Sequence, residues 1–376
     1  MSGGSLSLNT GNLEDIVDLA FHDDEPKRYI PVSSAHVSGV NYLNIGEPGL
    51  EFLKGLHDSG LKFTVRTTIN PGCFDFEDPK WQRCNPALIE KQRMIAGTLE
   101  EMGALVTLSC TPYMDTVVPQ PGDHLAWAES SAVLYANSVM GAWSNKESGI
   151  SAIASAVLGR TAYVGVHKPE GRVPHYSISY DGSISNEVQA GALGFAIGSV
   201  VGDSVSKFRC QELSNATYVR QFLAALGTSG SAPMIIIEGI TPGCEIEDER
   251  GVEMIRLADE DVQRVVEKMS SDKEPEAFVL GCPHLTGDEL FDVMRRSPQM
   301  RDIPTYAFTS RASSSVMNLS KLSGQLKLIR DSCVLWCGLK ASGYKTVATN
   351  SVKAAYYLKT TFGLDVKLVS LMVEKT

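Results

Sequence analysis

Three cysteines sit beside small or turn-forming residues at the edges of apolar runs. They are Cys110 in "LVTLSCTPY", Cys282 in "FVLGCPH" and Cys333 in "IRDSCVLWC". They are far apart in sequence and no CxxC pair occurs, so a zinc-finger arrangement is excluded. Gathered by the fold, three thiolates could hold an iron–sulfur cluster and leave one iron open as a Lewis acid. Such an iron could take the hydroxyl and carboxylate of a 2- or 3-hydroxy acid and help to expel hydroxide, while a nearby carboxylate or alkoxide removes a proton. The plainer reading is that each is a small buried hydrophobe. Cys73, Cys84, Cys210, Cys244 and Cys337 complete the set, and Cys337, four residues after Cys333, is its competitor.

Other polar groups fall after the predicted strands. They include Ser34, His36, Ser38 and Gly39, then Thr67, Thr68, Asn70 and Pro71, then Thr111 and Tyr113. Further along come His167, Lys168 and Arg172, His284, Thr309, Ser310 and Arg311, and Asn350, Ser351 and Lys353. So many reactive side chains at strand ends predict a lined cleft. A helix expected from about His124 to Met140, "HLAWAESSAVLYANSVM", carries Glu129, Ser130, Ser131, Asn137 and Ser138 among apolar residues. A buried carboxylate is costly without a partner, so Glu129 must meet either a ligand or a cation.

The elements that position these groups alternate. Residues 1–12 read as a loose leader, followed by a helix over "NLEDIVDLAF". Strands are expected at "RYIPVSSAHV", "KFTVRTTI", "ALVTLSC", "TAYVGVH", "YSISYD", "APMIIIEG", "EAFVLGCPH", "IPTYAFTSR", "CVLWCGL", "KTVAT" and "DVKLVSLM". Helices are expected between them, including one over "SSVMNLSKLSGQLKLIRDS". Such alternation predicts an α/β protein with mostly parallel sheets flanked by helices and ligands beyond the carboxyl ends of the strands. Two to three lobes are expected over 13–376, with an unmarked boundary between about 180 and 260.

A net charge of -10 argues against nucleic-acid or anionic-membrane binding. The thirteen-residue run "AGALGFAIGSVVG" falls short of the about 20 residues a membrane-spanning helix needs and reads as core. With no secretory signal pattern at the start, the expectation is a soluble, cytoplasmic chain. The same Gly-rich run lacks the strand–Gly–helix order of a dinucleotide site.

The segments "SSAHVSGVNYLNIGEPGLEFL", "TTINPG", "SCTPY", "GDHLAWAESSAVLYANSVMGA", "GVHKPEGR", "LGCPH", "DSC" and "TNSVKAAYY" together resemble the large, catalytic part of the aconitase X family. The resemblance runs from about residue 30 to 360. It implies an aconitase-like, multi-lobed fold with a cluster cleft at the strand ends, a three-cysteine [4Fe-4S] cluster, and a hydro-lyase. By motif, Cys110, Cys282 and Cys333 would be the cluster ligands. Glu129 and Ser130 would be catalytic, and Gly39, Val40, Asn70, Pro71, Glu129, Ser130 and Lys353 would bind substrate.

Members of that family dehydrate (R)-5-phosphomevalonate to trans-anhydromevalonate 5-phosphate in the archaeal modified mevalonate pathway, or dehydrate cis-3-hydroxy-L-proline. The first is the leading expectation here and the second the alternative; a non-catalytic cluster-binding scaffold is a third. In the family a small swivel domain closes over the cluster and supplies a serine base. The chain reaches Thr376 without one, so a small subunit is the expected partner. For an anionic substrate group, Lys168, Arg172, Arg311 and Lys353 are candidates. The resemblance departs in "GAWSNKESG", where Trp143 and Lys146 stand in place of the family's arginines.

Overall fold

The computed structural model describes residues 10–21, 28–78, 85–209, 213, 215–243, 252–296, 303–315 and 325–371. Three parallel sheets follow one another along the chain, each forming a lobe with its helices. In the first, Ser34–Val37 lies between Arg66–Ile69 and Leu125–Trp127. A separate short antiparallel pair joins Tyr29–Pro31 with Arg160–Ala162. Helices Thr10–Ala20, Tyr42–Asp58, Pro86–Glu101 and Gly149–Leu158 cover the first sheet, with Leu13, Val17, Leu50, Leu53, Ile95, Leu99 and Ile153 in one apolar core.

The second sheet has the order Ile235–Ile237, Ser206–Arg209, Tyr176–Tyr180, Glu253–Leu257. The run expected as core is the buried helix Glu187–Val201, packed against the helix Ala216–Ser229. Its glycines set the approach: a Cβ on Gly194 would fall 2.1 Å from the Phe222 carbonyl oxygen. The third sheet orders Leu326–Ile329, Thr305–Thr309, Ala277–Leu285, Thr346–Thr349 and Asp365–Leu368. Its strands share a continuous core with the second lobe through Phe222, Leu223, Val279, Phe308, Val347 and Val352. The Cys282–Pro283 peptide is cis.

Several segments differ from expectation. The stretch from His124 to Met140 is divided: Leu125–Trp127 is a buried strand, and the helix starts only at Ser130. The break is made by Glu129, whose carboxylate caps the helix by accepting from the Ala132 amide at 2.7 Å. Glutamate lies outside the usual Ser, Thr, Asp, Asn cap set, so the pattern carries no break signal. "ALVTLSC" is extended but irregular: the Thr107 hydroxyl bonds both the amide and the carbonyl of Ile69, taking the place of a ladder bond, and Leu108 has φ +44°.

"LKLI", expected as helix, is the strand Leu326–Ile329. "CVLWCGL" forms turns instead of a strand, which puts Cys333 just past the end of Leu326–Ile329 rather than at a strand start. Two strands absent from the sequence reading are Ser206–Arg209 and Glu253–Leu257. The latter is a charged, mostly exposed sheet edge, where alternation is not enforced by burial. Among the described residues no helix is long and apolar enough to cross a membrane.

Candidate active site

The carboxyl ends of the first and third sheets meet around one cavity of about 390 Å³. Its wall contains Gly39, Val40, Asn70, Pro71, Cys110, Glu129, Ser130, Cys282, Cys333 and Lys353. The chain leaves Ser34–Val37 through Ser38 and Gly39, where φ of +71° turns the backbone into the cavity at little cost for a residue without a Cβ. Asn70 follows the neighbouring strand, its amide bonded to the Val37 carbonyl at 2.9 Å. Its side-chain oxygen lies 2.9 Å from His36 Nε2, and His36 Nδ1 lies 2.8 Å from the Thr68 hydroxyl. Burial pushes the His36 pKa down to about 4, so this histidine is a neutral strut.

The thiol-bearing loops are tied across the two lobes. The Gly72 amide donates to the Asp331 carbonyl at 2.8 Å, and the Cys333 amide donates to the Gly72 carbonyl at 3.0 Å. The Cys110 sulfur accepts from the His284 amide at 3.3 Å. The Leu335 and Trp336 amides point at Cys333, and the Ser351 hydroxyl at Cys282. Burial raises all three thiols, with Glu129 adding to the rise at Cys110; Cys282 reaches about 12. Cys337 does not line the cavity; its thiol is buried against the Val334 carbonyl. Cys73 packs on Gln92, while Cys84, Cys210 and Cys244 lie outside the described residues.

The same cavity wall holds a buried ion pair between the first and third lobes. Lys353 Nζ donates to Glu129 Oε1 at 2.7 Å, and the Ser131 hydroxyl donates to Oε2 at 2.6 Å. Burial pulls the Glu129 pKa up, but Lys353 and the Ser131 and Ala132 donors outweigh it and hold the carboxylate ionised. Burial likewise acts against the Lys353 charge, and Glu129 more than restores it. Glu129 caps Ser130–Ser138, and Lys353 stands in the first turn of Val352–Thr360. Two helix N-termini therefore reach the cavity, and the positive ends of their dipoles favour an anion there. Asn137 and Ser138 instead bond the backbones of Ser144, Pro233 and Ile235, so only the start of this helix serves the cavity.

The other cation candidates lie elsewhere. Arg311 is paired with Asp331 and Glu77, away from the cavity wall. Arg172 holds the Ala142 carbonyl and covers the Trp143 ring at 4.2 Å, and neither it nor Lys168 lines the cavity. Trp143 also packs on His124, whose Nδ1 is 2.9 Å from His167 Nδ1. Lys146 is bridged to Trp127 at the sheet's edge, within the electrostatic reach of Lys353 and Glu129. The cavity wall also includes Asn41, Asn44, Trp336 and Tyr357, which the sequence reading missed. The signal for Asn41 was available, since it precedes a helix as its N-cap.

Models of the aconitase X first, second and third domains match residues 5–170, 174–267 and 275–373. The phosphomevalonate dehydratase large subunit of Aeropyrum pernix is 36% identical over 88% of this chain and 86% of its own length. That of Thermococcus kodakarensis is 32% identical over 91% and 88%. The cis-3-hydroxy-L-proline dehydratase of Pseudomonas aeruginosa is 29% identical over 92% of this chain, which spans 63% of that longer protein. The crystal structure of Thermococcus kodakaraensis aconitase X in its holo form matches with a TM-score of 0.86 at 32% identity, covering 96% of this chain and 92% of that one. Parallel α/β lobes around this cavity and dehydratase relatives define a hydro-lyase. The chain belongs to the aconitase X family.

Proposed function

We propose that the chain is the large, catalytic subunit of an iron–sulfur dehydratase whose substrate is (R)-5-phosphomevalonate, completed by a small subunit that supplies the base. The observation that carries the reading is the convergence of three thiols on one cavity whose wall also holds the Glu129–Lys353 pair. The donor set fits a cluster. Among the described residues no three of His, Cys, Asp and Glu gather closely enough to hold a single ion, but a cluster takes one thiolate per iron and needs donors spaced around a cavity. Each thiol also faces a hydrogen-bond donor, the kind of contact that tunes a ligated sulfur. When bound, a [4Fe-4S] cluster supplies a Lewis acid for the leaving hydroxyl.

This chain's residues bind and orient the substrate. Ionised Glu129 can accept from a substrate hydroxyl, and Ser130, at the helix start, can donate to an anionic oxygen. Lys353, whose remaining N–H donors are not taken by Glu129, supplies the cation for a carboxylate or phosphate. Phosphomevalonate is preferred over hydroxyproline because the relatives that name it share more identity and nearly the same length.

The test is anaerobic purification with iron and acid-labile sulfide quantified, then assay with the small subunit on both substrates. The expected result is a loaded protein that removes water from phosphomevalonate. Cys110→Ser, Cys282→Ser and Cys333→Ser should lose the cluster while Cys73→Ser keeps it. Full iron in the Cys282→Ser protein would overturn the ligand assignment, and turnover of cis-3-hydroxy-L-proline alone would replace the substrate.

A further inference from the structure

Among the described residues none of the cavity wall comes from the second lobe, yet one of that lobe's side chains reaches the thiol loops. Arg220, on the helix Ala216–Ser229, is buried at 3% exposure. One guanidinium nitrogen, Nη1, donates to Glu289 Oε2 and the other, Nη2, to the His284 carbonyl, each at 2.5 Å. The Tyr113 hydroxyl is a third hydrogen-bond partner. Burial works against the charge, but Glu289 and Tyr113 more than offset it and hold Arg220 cationic. Glu289 is fixed in turn by the Thr286 amide at 2.9 Å.

The residue whose carbonyl Arg220 grips, His284, connects all three thiol segments. The His284 amide donates to Cys110 Sγ at 3.3 Å, and His284 Nε2 donates to the carbonyl of Ser332, the residue before Cys333, at 2.9 Å. Cys282 stands two residues before His284 on the same strand. Tyr113 lies three residues beyond Cys110 and stacks on Tyr135 at 4.1 Å. A rigid planar fork that holds two acceptors at a fixed separation is what arginine offers and the compact, rotatable ammonium of lysine does not. We propose that Arg220 is a positioning residue for the three-thiol site: by holding the His284 carbonyl it aims the His284 amide at Cys110 and fixes the spacing of the three sulfurs. This inference rests on reading the thiols as cluster ligands.

The test compares wild type, Arg220→Lys and Arg220→Gln after anaerobic reconstitution, with Arg209→Gln, which breaks an exposed ion pair with Glu238, as control. The apo proteins are checked by circular dichroism and thermal midpoint. Iron and sulfide per chain, the electron paramagnetic resonance spectrum and the survival of cluster absorbance under a chelator are then read. Both Arg220 variants are expected to fold, load iron, lose the cluster about tenfold faster than wild type and show an altered spectrum, as outer-shell changes do. Arg209→Gln should match wild type.

Arg220→Lys with a wild-type spectrum and a chelator half-life within about twofold of wild type would overturn the proposal, being well inside the about tenfold scale of outer-shell losses. Arg220→Lys keeps the charge, so it decides if Arg220→Gln fails to fold. If neither folds, Tyr113→Phe, which removes only one hydroxyl contact, decides by the same readouts. A wild-type protein that takes up no iron overturns the reading of the thiols, and this inference with it. Wild-type loading with unchanged Arg220 variants overturns this inference alone.

Discussion

Burial gives individual side chains in the first lobe opposite pH signatures. Glu147 is buried and accepts from the Ser151 hydroxyl at 2.5 Å and the Thr161 hydroxyl at 2.6 Å. Loss of water raises its pKa to about 7, and the two hydroxyls offset this only in part. A raised carboxyl binds its proton more tightly in the native state than in the unfolded one. Its stabilising contribution is therefore complete below the unfolded value of about 4.5 and is lost as pH climbs through about 7. The full loss amounts to about 3 kcal/mol. Glu147→Gln, neutral at every pH, should gain on wild type by up to that amount between pH 4.5 and pH 8, whatever fixed cost its amide brings. Thermal midpoints of the apo proteins at the two ends of that range check this, and a difference that does not move with pH would show that Glu147 is already ionised. His36, with its pKa lowered to about 4, works the other way: its contribution is present above about 6.5 and fades as pH falls toward 4.

Backbone contact governs the second lobe's helix pair. Gly194 sits where Glu187–Val201 meets Ala216–Ser229, and any Cβ there runs into the Phe222 carbonyl. Gly194→Ala should destabilise by about 1–3 kcal/mol, since overpacking here outweighs the gain in helix propensity. Gly97, inside Pro86–Glu101, faces open space: a Cβ added there would meet no neighbouring atom within 4 Å, which gives the opposite sign. Gly97→Ala should stabilise by about 0.5–1 kcal/mol. Denaturant midpoints of the two variants decide it, and two shifts of the same sign would refute the contrast.

The helix pair and most of the strand–helix alternation were legible because long apolar runs set their own period. The place of Cys110, Cys282 and Lys353 on the cavity wall was legible because strand-end loops border the crevice in parallel sheets. The start of the Ser130 helix was not, because its cap is a glutamate recruited by a lysine more than two hundred residues away. Cys333 was placed at a strand start because "CVLW" looks extended, while its position follows from the preceding edge strand. Arg220 left one unused signal, a cation on the apolar face of "YVRQFLAAL", a face that tolerates charge only with buried partners.

At the scale of the whole molecule, the first and third lobes meet through charge as well as through the cavity. Glu129 and Lys353 form the buried pair across that junction, with side chains only 8% and 10% exposed. Two explanations of the pair compete, lobe cohesion and chemistry, and a double-mutant cycle separates them. Glu129→Gln leaves a buried ammonium without its carboxylate, and Lys353→Met leaves the reverse, so each should destabilise by about 3–5 kcal/mol. The double variant buries neither charge and should recover most of that loss, because replacing a buried pair with neutral groups is often close to neutral. Turnover with the small subunit should follow a different course. It should be lost in both single variants and stay lost in the double, since the groups that would meet the substrate are gone. Thermal midpoints and kcat for the four proteins supply the cycle. Recovery of stability without recovery of turnover would assign the pair to chemistry, with cohesion as a by-product of its burial. Recovery of both would mean that neither lobe cohesion nor dehydration requires the pair, the single variants failing only because each strands a buried charge.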